Sequence, residues 1–165
     1  MDTPEARTLD ELIAEFDTAM LVTRAPDGAL RSRPMAIAGK HSGAVLHFAT
    51  RFDAPKVAEL EDEPDVNVTM QAADKYLSLS GRARIIEDRN LLDELWSPAW
   101  KLWFPEGKDD PDLALIELEP ETGEYWDRSG RRGARFLLEA GKAILQGSTP
   151  EYEDPEAHAK VELDR

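Results

Sequence analysis

Residues 31–56 read RSRPMAIAGKHSGAVLHFATRFDAPK, and this stretch decides how the chain folds. Arg31-Ser32-Arg33-Pro34-Met35-Ala36-Ile37 alternates polar and apolar residues, as a strand with one buried face does. Gly39 to Gly43 has turn composition. Ala44-Val45-Leu46-His47-Phe48-Ala49-Thr50 reads as the returning strand. Pro55 then stands where proline is well tolerated, at the first position of a helix, and Lys56 falls in that helix's first turn. Two strands and a helix start thus gather Arg33, Thr50, Lys56 and a set of free backbone N–H groups. Such a set suits a phosphate on a small organic molecule, because helix N-termini attract anions and charge-assisted donors bind them strongly. The competing reading is that the arginine and lysine are solvated surface charges, and spacing alone leaves both open.

Outward from this stretch the chain continues as closely spaced strands. Met20 to Thr23 is a short buried strand. Ala25-Pro26-Asp27-Gly28 is a turn, since proline pre-sets one backbone angle and glycine accepts a positive one. The next strands are Leu30 to Ala38 and Ala44 to Thr50. A helix from Pro55 to about Glu63 turns Val57 and Leu60 inward. Val66 to Met70 alternates as a strand, Ala72 to Lys75 connects a hairpin, and Tyr76 to Ile86 is a long strand in which Gly81 marks a bulge or sharp bend. Leu113 to Leu118, a turn at Pro120 to Gly123, and Tyr125-Trp126 complete an antiparallel meander that predicts a barrel or sandwich.

Helices flank it. Thr8 and Glu11 form a capping box for a helix from Thr8 to about Ala19, and Leu9, Leu12, Ile13 and Phe16 share one face. Asp88 caps a helix to about Leu102, kinked or broken at Pro98. Phe136 to Leu145 reads as a short apolar helix or strand. From Pro150 the chain is acidic and aperiodic, so 1–150 is one domain and 151–165 a tail, in which residues 158–163 offer a terminal strand for docking.

A chain of 165 residues is most simply one domain, and at that size roughly two thirds of the unfolded surface is buried on folding. The net charge of −14 argues against nucleic acid and against anionic membranes as partners. Against that background Arg24, Arg31, Arg33, Lys40, Arg51 and Lys56 concentrate positive charge. A second run, Arg128, Arg131, Arg132 and Arg135, reads as a solvated face. The absence of cysteine excludes disulfides, thiolate catalysis and cysteine-ligated metal. His41, His47 and His158 are too few and too scattered to predict a metal site. No apolar run approaches the ~20 residues of a membrane span, and Met1-Asp2-Thr3-Pro4-Glu5 lacks the regions of a signal peptide. A cytoplasmic protein is expected.

A set of short motifs in fixed order carries a family resemblance. They are Ser32-Arg33-Pro34-Met35, Phe48-Ala49-Thr50, Pro55-Lys56-Val57, Tyr76-Leu77-Ser78-Leu79-Ser80-Gly81, Leu95-Trp96-Ser97-Pro98, the run from Trp103 to Asp112, and Glu124-Tyr125-Trp126-Asp127. Over roughly residues 8 to 147 the chain resembles the pyridoxamine 5′-phosphate oxidase-like FMN-binding split barrels, and most closely their general stress protein 26 branch. The resemblance implies a mainly β protein, an antiparallel split barrel with flanking helices. It implies a homodimer with an FMN cleft at the interface. Carried over residue by residue, Arg33, Pro34 and Met35 would lie beside the ring system and ribityl chain, and Thr50 and Lys56 would hold the phosphate. Trp126, and with it Trp103, would approach from the partner subunit. Phe48 and Ala49 belong to the matched strand, and His47 reads either as a contact to the flavin ring or as an ordinary strand histidine. Trp100, Trp103 and Phe104 read as a stacking platform, a dimer interface or core.

Two departures bear on activity. The phosphate loop of the superfamily commonly reads serine, one residue, lysine; here it is Ala54-Pro55-Lys56, so a hydroxyl donor is missing, with Arg51 or Arg33 as candidate substitutes. The C-terminal arginine–leucine–histidine–aspartate–arginine motif of true pyridoxamine phosphate oxidases is replaced by Arg131-Arg132-Gly133-Ala134-Arg135. The vitamin B6 oxidase reaction is therefore disfavoured. The resemblance implies an FMN-dependent oxidoreductase acting on a small molecule, with no protein acid or base identified. The alternatives are a non-catalytic flavin-binding stress or sensor protein, an interaction module without cofactor, and a haem or deazaflavin in the same cleft.

Overall fold

The computed structural model describes residues 3–146 and 157–163. The acidic residues Glu151, Glu153, Asp154 and Glu156 lie outside the described residues, as do the side chains of Arg131, Arg132 and Arg135. Six antiparallel strands form the body: β1 (Thr18–Arg24), β2 (Leu30–His41), β3 (Val45–Arg51), β4 (Asp65–Gln71), β5 (Lys75–Ile86) and β6 (Leu113–Asp127). They run in the order β3-β2-β1-β4-β5-β6, and β3 also pairs with β6, which closes the sheet into a barrel. The mainly β, antiparallel barrel with flanking helices read from the sequence is what forms. β7 (His158–Glu162) adds an outer strand to β6, from Thr122↔Glu162 to Trp126↔His158.

Alternation along the strands builds the interior. Leu21, Leu46, Phe48, Val68, Leu77, Leu79 and Leu118 turn inward and are buried in one cluster. Helix α1 (Pro4–Ala14) packs Leu9, Leu12 and Ile13 against it. The apolar face of this helix is the one read from the sequence, but its bounds differ. Thr3 is the N-cap, accepting a hydrogen bond from the Ala6 N–H at 3.1 Å, and Pro4 takes the first position. Thr8 lies inside the helix and donates to the Pro4 carbonyl. Proline at the first position with threonine before it is the stronger start signal.

β6 also differs from expectation. It is one strand of 15 residues rather than two strands and a turn. Its register against β5 shifts between Ser80 and Gly81, where Pro120 pairs with Gly81 and Glu121 is the extra residue. A bulge tolerates a proline that cannot donate to the ladder. A Cβ on Gly81 would stand 2.2 Å from the Glu119 carbonyl oxygen, so only glycine fits there.

A second cluster lies on the outer face of the barrel. α2 (Pro55–Asp62) precedes β4, and α3 (Arg89–Leu95) follows β5. α3 is capped by Asp88 as expected, but it stops at Leu95, and Pro98–Leu102 forms a separate 3₁₀ helix. The residue before a proline is pushed out of the helical region, and Ser97 is extended, with φ −117° and ψ 134°. Leu92, Trp100, Phe104, Leu113 and Leu115 bury one another here. α4 (Gly130–Gln146) covers the stretch read as helix or strand. Among the described residues no helix is long and apolar enough to cross a membrane.

β2 and β3 part company. They pair from Ile37↔Phe48 to His41↔Val45 and not beyond. Past that point Met35 pairs with Ala19 of β1, and Thr50 pairs with Ala114 of β6. The barrel is split between Pro34–Ala36 on one side and Ala49–Arg51 on the other.

Candidate functional site

A cleft of about 290 Å³ opens in this split. Pro34, Met35 and Ala36 of β2 form one wall, and Ala49, Thr50 and Arg51 of β3 face them. Ala54 and Lys56, at the start of α2, close one end, and Trp100, Trp103 and Phe104 form an aromatic side. Of the candidates read from the sequence, Pro34, Met35, Ala49, Thr50, Lys56 and Trp103 therefore meet in one place.

The polar end is built around Lys56. Its ammonium donates to the buried Thr50 hydroxyl at 3.2 Å. Among the described residues no carboxylate lies within ion-pair range of it. Burial, and next the nearby Arg33 guanidinium, hold the Lys56 ammonium below the usual lysine pKa. α2 starts at Pro55, which has no N–H, and Ala54 offers no side-chain cap. The Lys56 N–H is thus the first donor at the open end of the helix, where the dipole is positive.

The two arginines offered as substitutes for the missing hydroxyl are both engaged. Arg51 lines the cleft, but its Nε lies 3.0 Å from Asp53 and its Nη2 pairs with Asp112. The hydrogen bond from Arg51 holds the Asp53 carboxyl below its ordinary range. Asp53 neither caps α2 nor points at Lys56. Arg33 is not part of the cleft lining; its Nη2 lies 2.7 Å from Glu59, and its Nη1 donates to Thr23. Glu59 is buried, which alone would raise its pKa, but hydrogen bonds from Thr23 and Arg33 outweigh burial and lower it.

Burial divides the aromatic cluster. Trp100 and Phe104 are buried in the outer core and wall the cleft with the edges they leave open. Trp96 braces Trp100 edge-to-face, with centroids 5.5 Å apart. Trp103, 57% exposed, stands at the cleft mouth of its own chain.

Three further candidates lie outside the cleft of the single chain. His47 is 3% exposed and outside the cleft; its Nε2 lies 2.9 Å from Glu117 Oε2. It is a strand histidine that bonds across to β6, held against the edge of His41. Burial would raise the Glu117 pKa, but hydrogen bonds from Arg84 and His47 lower it. The Phe48 side chain is fully buried in the barrel interior and cannot touch a ligand. Alternation explains both: Phe48 shares the inner face with Leu46, and His47 shares the outer face with Ala49. Trp126 sits at the far end of β6 from Ala114, the partner of Thr50. It pairs across from Tyr76 and stacks on His158 at 5.2 Å. Within one chain it does not reach the cleft.

Sequence reading passed over Glu59 and Thr23. The available signal was an acidic residue on the inward face of α2, between Val57 and Leu60.

The family model described as pyridoxamine 5′-phosphate oxidase like matches residues 4–151. Among curated proteins, general stress protein 26 of Bacillus subtilis is 34% identical over 86 residues, covering 49% of this chain and 61% of its own. The chain spans about three fifths of the length of the curated relatives it matches. Among solved structures, general stress protein 26 of Bacillus anthracis superposes with a TM-score of 0.67 at 27% identity, covering 73% of this chain and 92% of that one. The general stress FMN/FAD binding protein of Xanthomonas citri gives a TM-score of 0.65 at 27% identity, covering 75% of this chain and 91% of that one. With a family model matching most of its length and the split barrel described above, the chain belongs to the pyridoxamine 5′-phosphate oxidase-like family and is similar to general stress protein 26 members.

Proposed function

We propose that the cleft binds FMN and that the protein is a flavin-dependent oxidoreductase acting on a small organic molecule. One observation supports this most: Lys56 is a half-buried ammonium at a helix start, beside a buried hydroxyl and a second cation, with no carboxylate in ion-pair range among the described residues. Keeping such a charge out of water is costly unless an anion meets it. A flavin phosphate would supply that anion.

The residues fit the whole group. The phosphate would take Lys56 Nζ, the Lys56 N–H and the Thr50 hydroxyl, with Arg33 adding positive charge behind them. The ring system would lie on the apolar surface of Met35, Ala36 and Ala49, beside Trp100 and Trp103. Bound flavin supplies hydride and electron transfer. This chain binds and orients the cofactor and keeps water from one side of it. Among the described residues, those that line the cleft include no carboxylate and no imidazole.

A cleft of about 290 Å³ sits at the lower edge of small-molecule sites, which run about 300–1,000 Å³. Part of a flavin would stand proud of it. A second copy would cover that part in a homodimer, with the exposed Trp103 at the seam and Trp126 reaching over from the other subunit. A lining without carboxylate or imidazole among the described residues also favours a second reading, a flavin-binding protein without turnover.

The test is the absorbance spectrum of the freshly purified protein, with mass analysis of what heat releases, followed by anaerobic NADH and NADPH. Released FMN that either donor reduces with turnover supports the oxidoreductase. Bound FMN that neither reduces supports the second reading. A colourless protein that also refuses added FMN overturns the flavin assignment.

A further inference from the structure

We propose that Glu59, bridged by Thr23, is a positioning residue of the phosphate end of the cleft: it clamps the Arg33 guanidinium beside Lys56. The inference rests on the flavin reading and deepens it.

The clamp joins three elements. Thr23 on β1 and Arg31 and Arg33 on β2 share one face, since Thr23 pairs with Arg31 and Leu21 with Arg33. Glu59 comes down from α2, one turn after Lys56. Its Oε2 accepts from the Thr23 hydroxyl at 2.5 Å and pairs with Arg33 Nη2 at 2.7 Å, while Oε1 lies 3.5 Å from Arg31. The Thr23 oxygen in turn accepts from Arg33 Nη1. Glu59 and Thr23 are 3% and 1% exposed. Arg33 Nη1 meets Thr23 and Nη2 meets Glu59, so the guanidinium is held in one orientation by a two-pronged contact.

Stability does not explain the arrangement. Replacing a buried ion pair by apolar side chains of similar volume is often neutral or stabilising. A carboxylate in a phosphate site is also unfavourable as a bare charge, because it repels the anion. What Glu59 offers is order. Arg31, Arg33 and Lys56 repel one another, and without a counter-charge the long Arg33 side chain would turn to water. With Glu59 in place, Arg33 stays beside Lys56, and the cluster keeps two net positive charges for a phosphate that carries about −1.5 to −2 at neutral pH.

The two roles of Glu59 predict opposite signs. As a bare charge, its removal should tighten FMN binding. As a clamp, its removal should weaken it. The experiment titrates FMN and riboflavin, which lacks the phosphate, into flavin-free full-length protein, for wild type, Glu59→Gln and Thr23→Val. Thr23→Val keeps the carboxylate and nearly the same shape, and it decides the matter if Glu59→Gln does not fold. The expected result is a loss of FMN affinity of about tenfold in each variant, with riboflavin affinity unchanged within twofold. In an Arg33→Ala background, Glu59→Gln should then change FMN affinity by less than twofold, because the residue it positions is gone. Unchanged or tighter FMN binding in both single variants overturns the clamp, as does an equal loss for riboflavin, or a full tenfold loss that persists without Arg33. Failure of the wild-type protein itself to bind FMN overturns the flavin reading instead, and the clamp falls with it.

Discussion

Replacing Lys56 by alanine is the sharpest probe of the cleft. In the free protein the ammonium is half-buried and crowded by Arg33; it donates to the Thr50 hydroxyl and feels Glu59 only at longer range, outside ion-pair distance. Removing it relieves that crowding, so the flavin-free variant should melt no lower than wild type. With FMN present the sign reverses. A hydrogen bond to a charged group contributes about 1.5–3 kcal/mol, and tenfold in affinity corresponds to about 1.4 kcal/mol. The variant should therefore bind FMN roughly 10- to 150-fold more weakly. The assay is quenching of flavin fluorescence on titration into flavin-free protein, run beside riboflavin and at two salt concentrations. Riboflavin should bind both proteins alike, and the wild-type preference for FMN should fall as salt rises, since a partly exposed charge pair is screened. Unchanged FMN affinity, or an equal loss of FMN and riboflavin affinity, would refute the phosphate assignment.

Three other outcomes follow from the same geometry. Ala54→Ser restores a hydroxyl at the N-cap of α2, which has no side-chain cap; FMN binding measured by the same titration should tighten by roughly tenfold, and the melting temperature should rise, since such a cap contributes ~1 kcal/mol. Gly81→Ala puts a Cβ 2.2 Å from the Glu119 carbonyl and 2.5 Å from Pro120 Cα, both backbone; a cost of about 3 kcal/mol lowers the melting temperature by about 6–12 °C at this chain length, read by circular dichroism, and an unchanged melt would show that the bulge is free to move. Glu59 has a folded pKa below its ordinary 4.5, so its contribution is complete above that value and is lost as pH falls below it. Chemical denaturation should show the stability gap between wild type and Glu59→Gln closing below pH 4.5, and a gap that widens there would be the wrong sign.

Much of the fold was legible because local rules and tertiary needs agree in most of this chain. Val66-Asn67-Val68-Thr69-Met70 alternates, and so do the faces of β4. Asp88 caps α3 by accepting from the Asn90 and Leu91 N–H groups, as its side chain dictates. Errors fell where tertiary pairing overrode a local signal. Pro120 and Gly123 look like a turn, yet β5 and β7 hold both sides of the chain there and draw it into one long strand. His47, Phe48 and Ala49 are consecutive, and a reading of motifs could not say which of the three faces a ligand.

Sequence by itself determined the class and the chemistry on offer. Hydrophobic period two, with turn residues between the strands, specified an antiparallel β body, and the residues from Arg31 to Lys56 offered a cluster of cations suited to an anion. Those features are local, because they depend on residues within a few positions of one another. Only the tertiary structure decided which cations are free. Arg33 and Arg51 look identical to Lys56 in a list of charges, but Glu59, Asp53 and Asp112 occupy them. Only closure of the barrel decided that β2 and β3 separate after Ile37 and Phe48, each drawn to another neighbour. Strand partners and ion-pair partners are distant in sequence, so no local pattern encodes them; they are chosen when the buried faces of the whole chain are satisfied together.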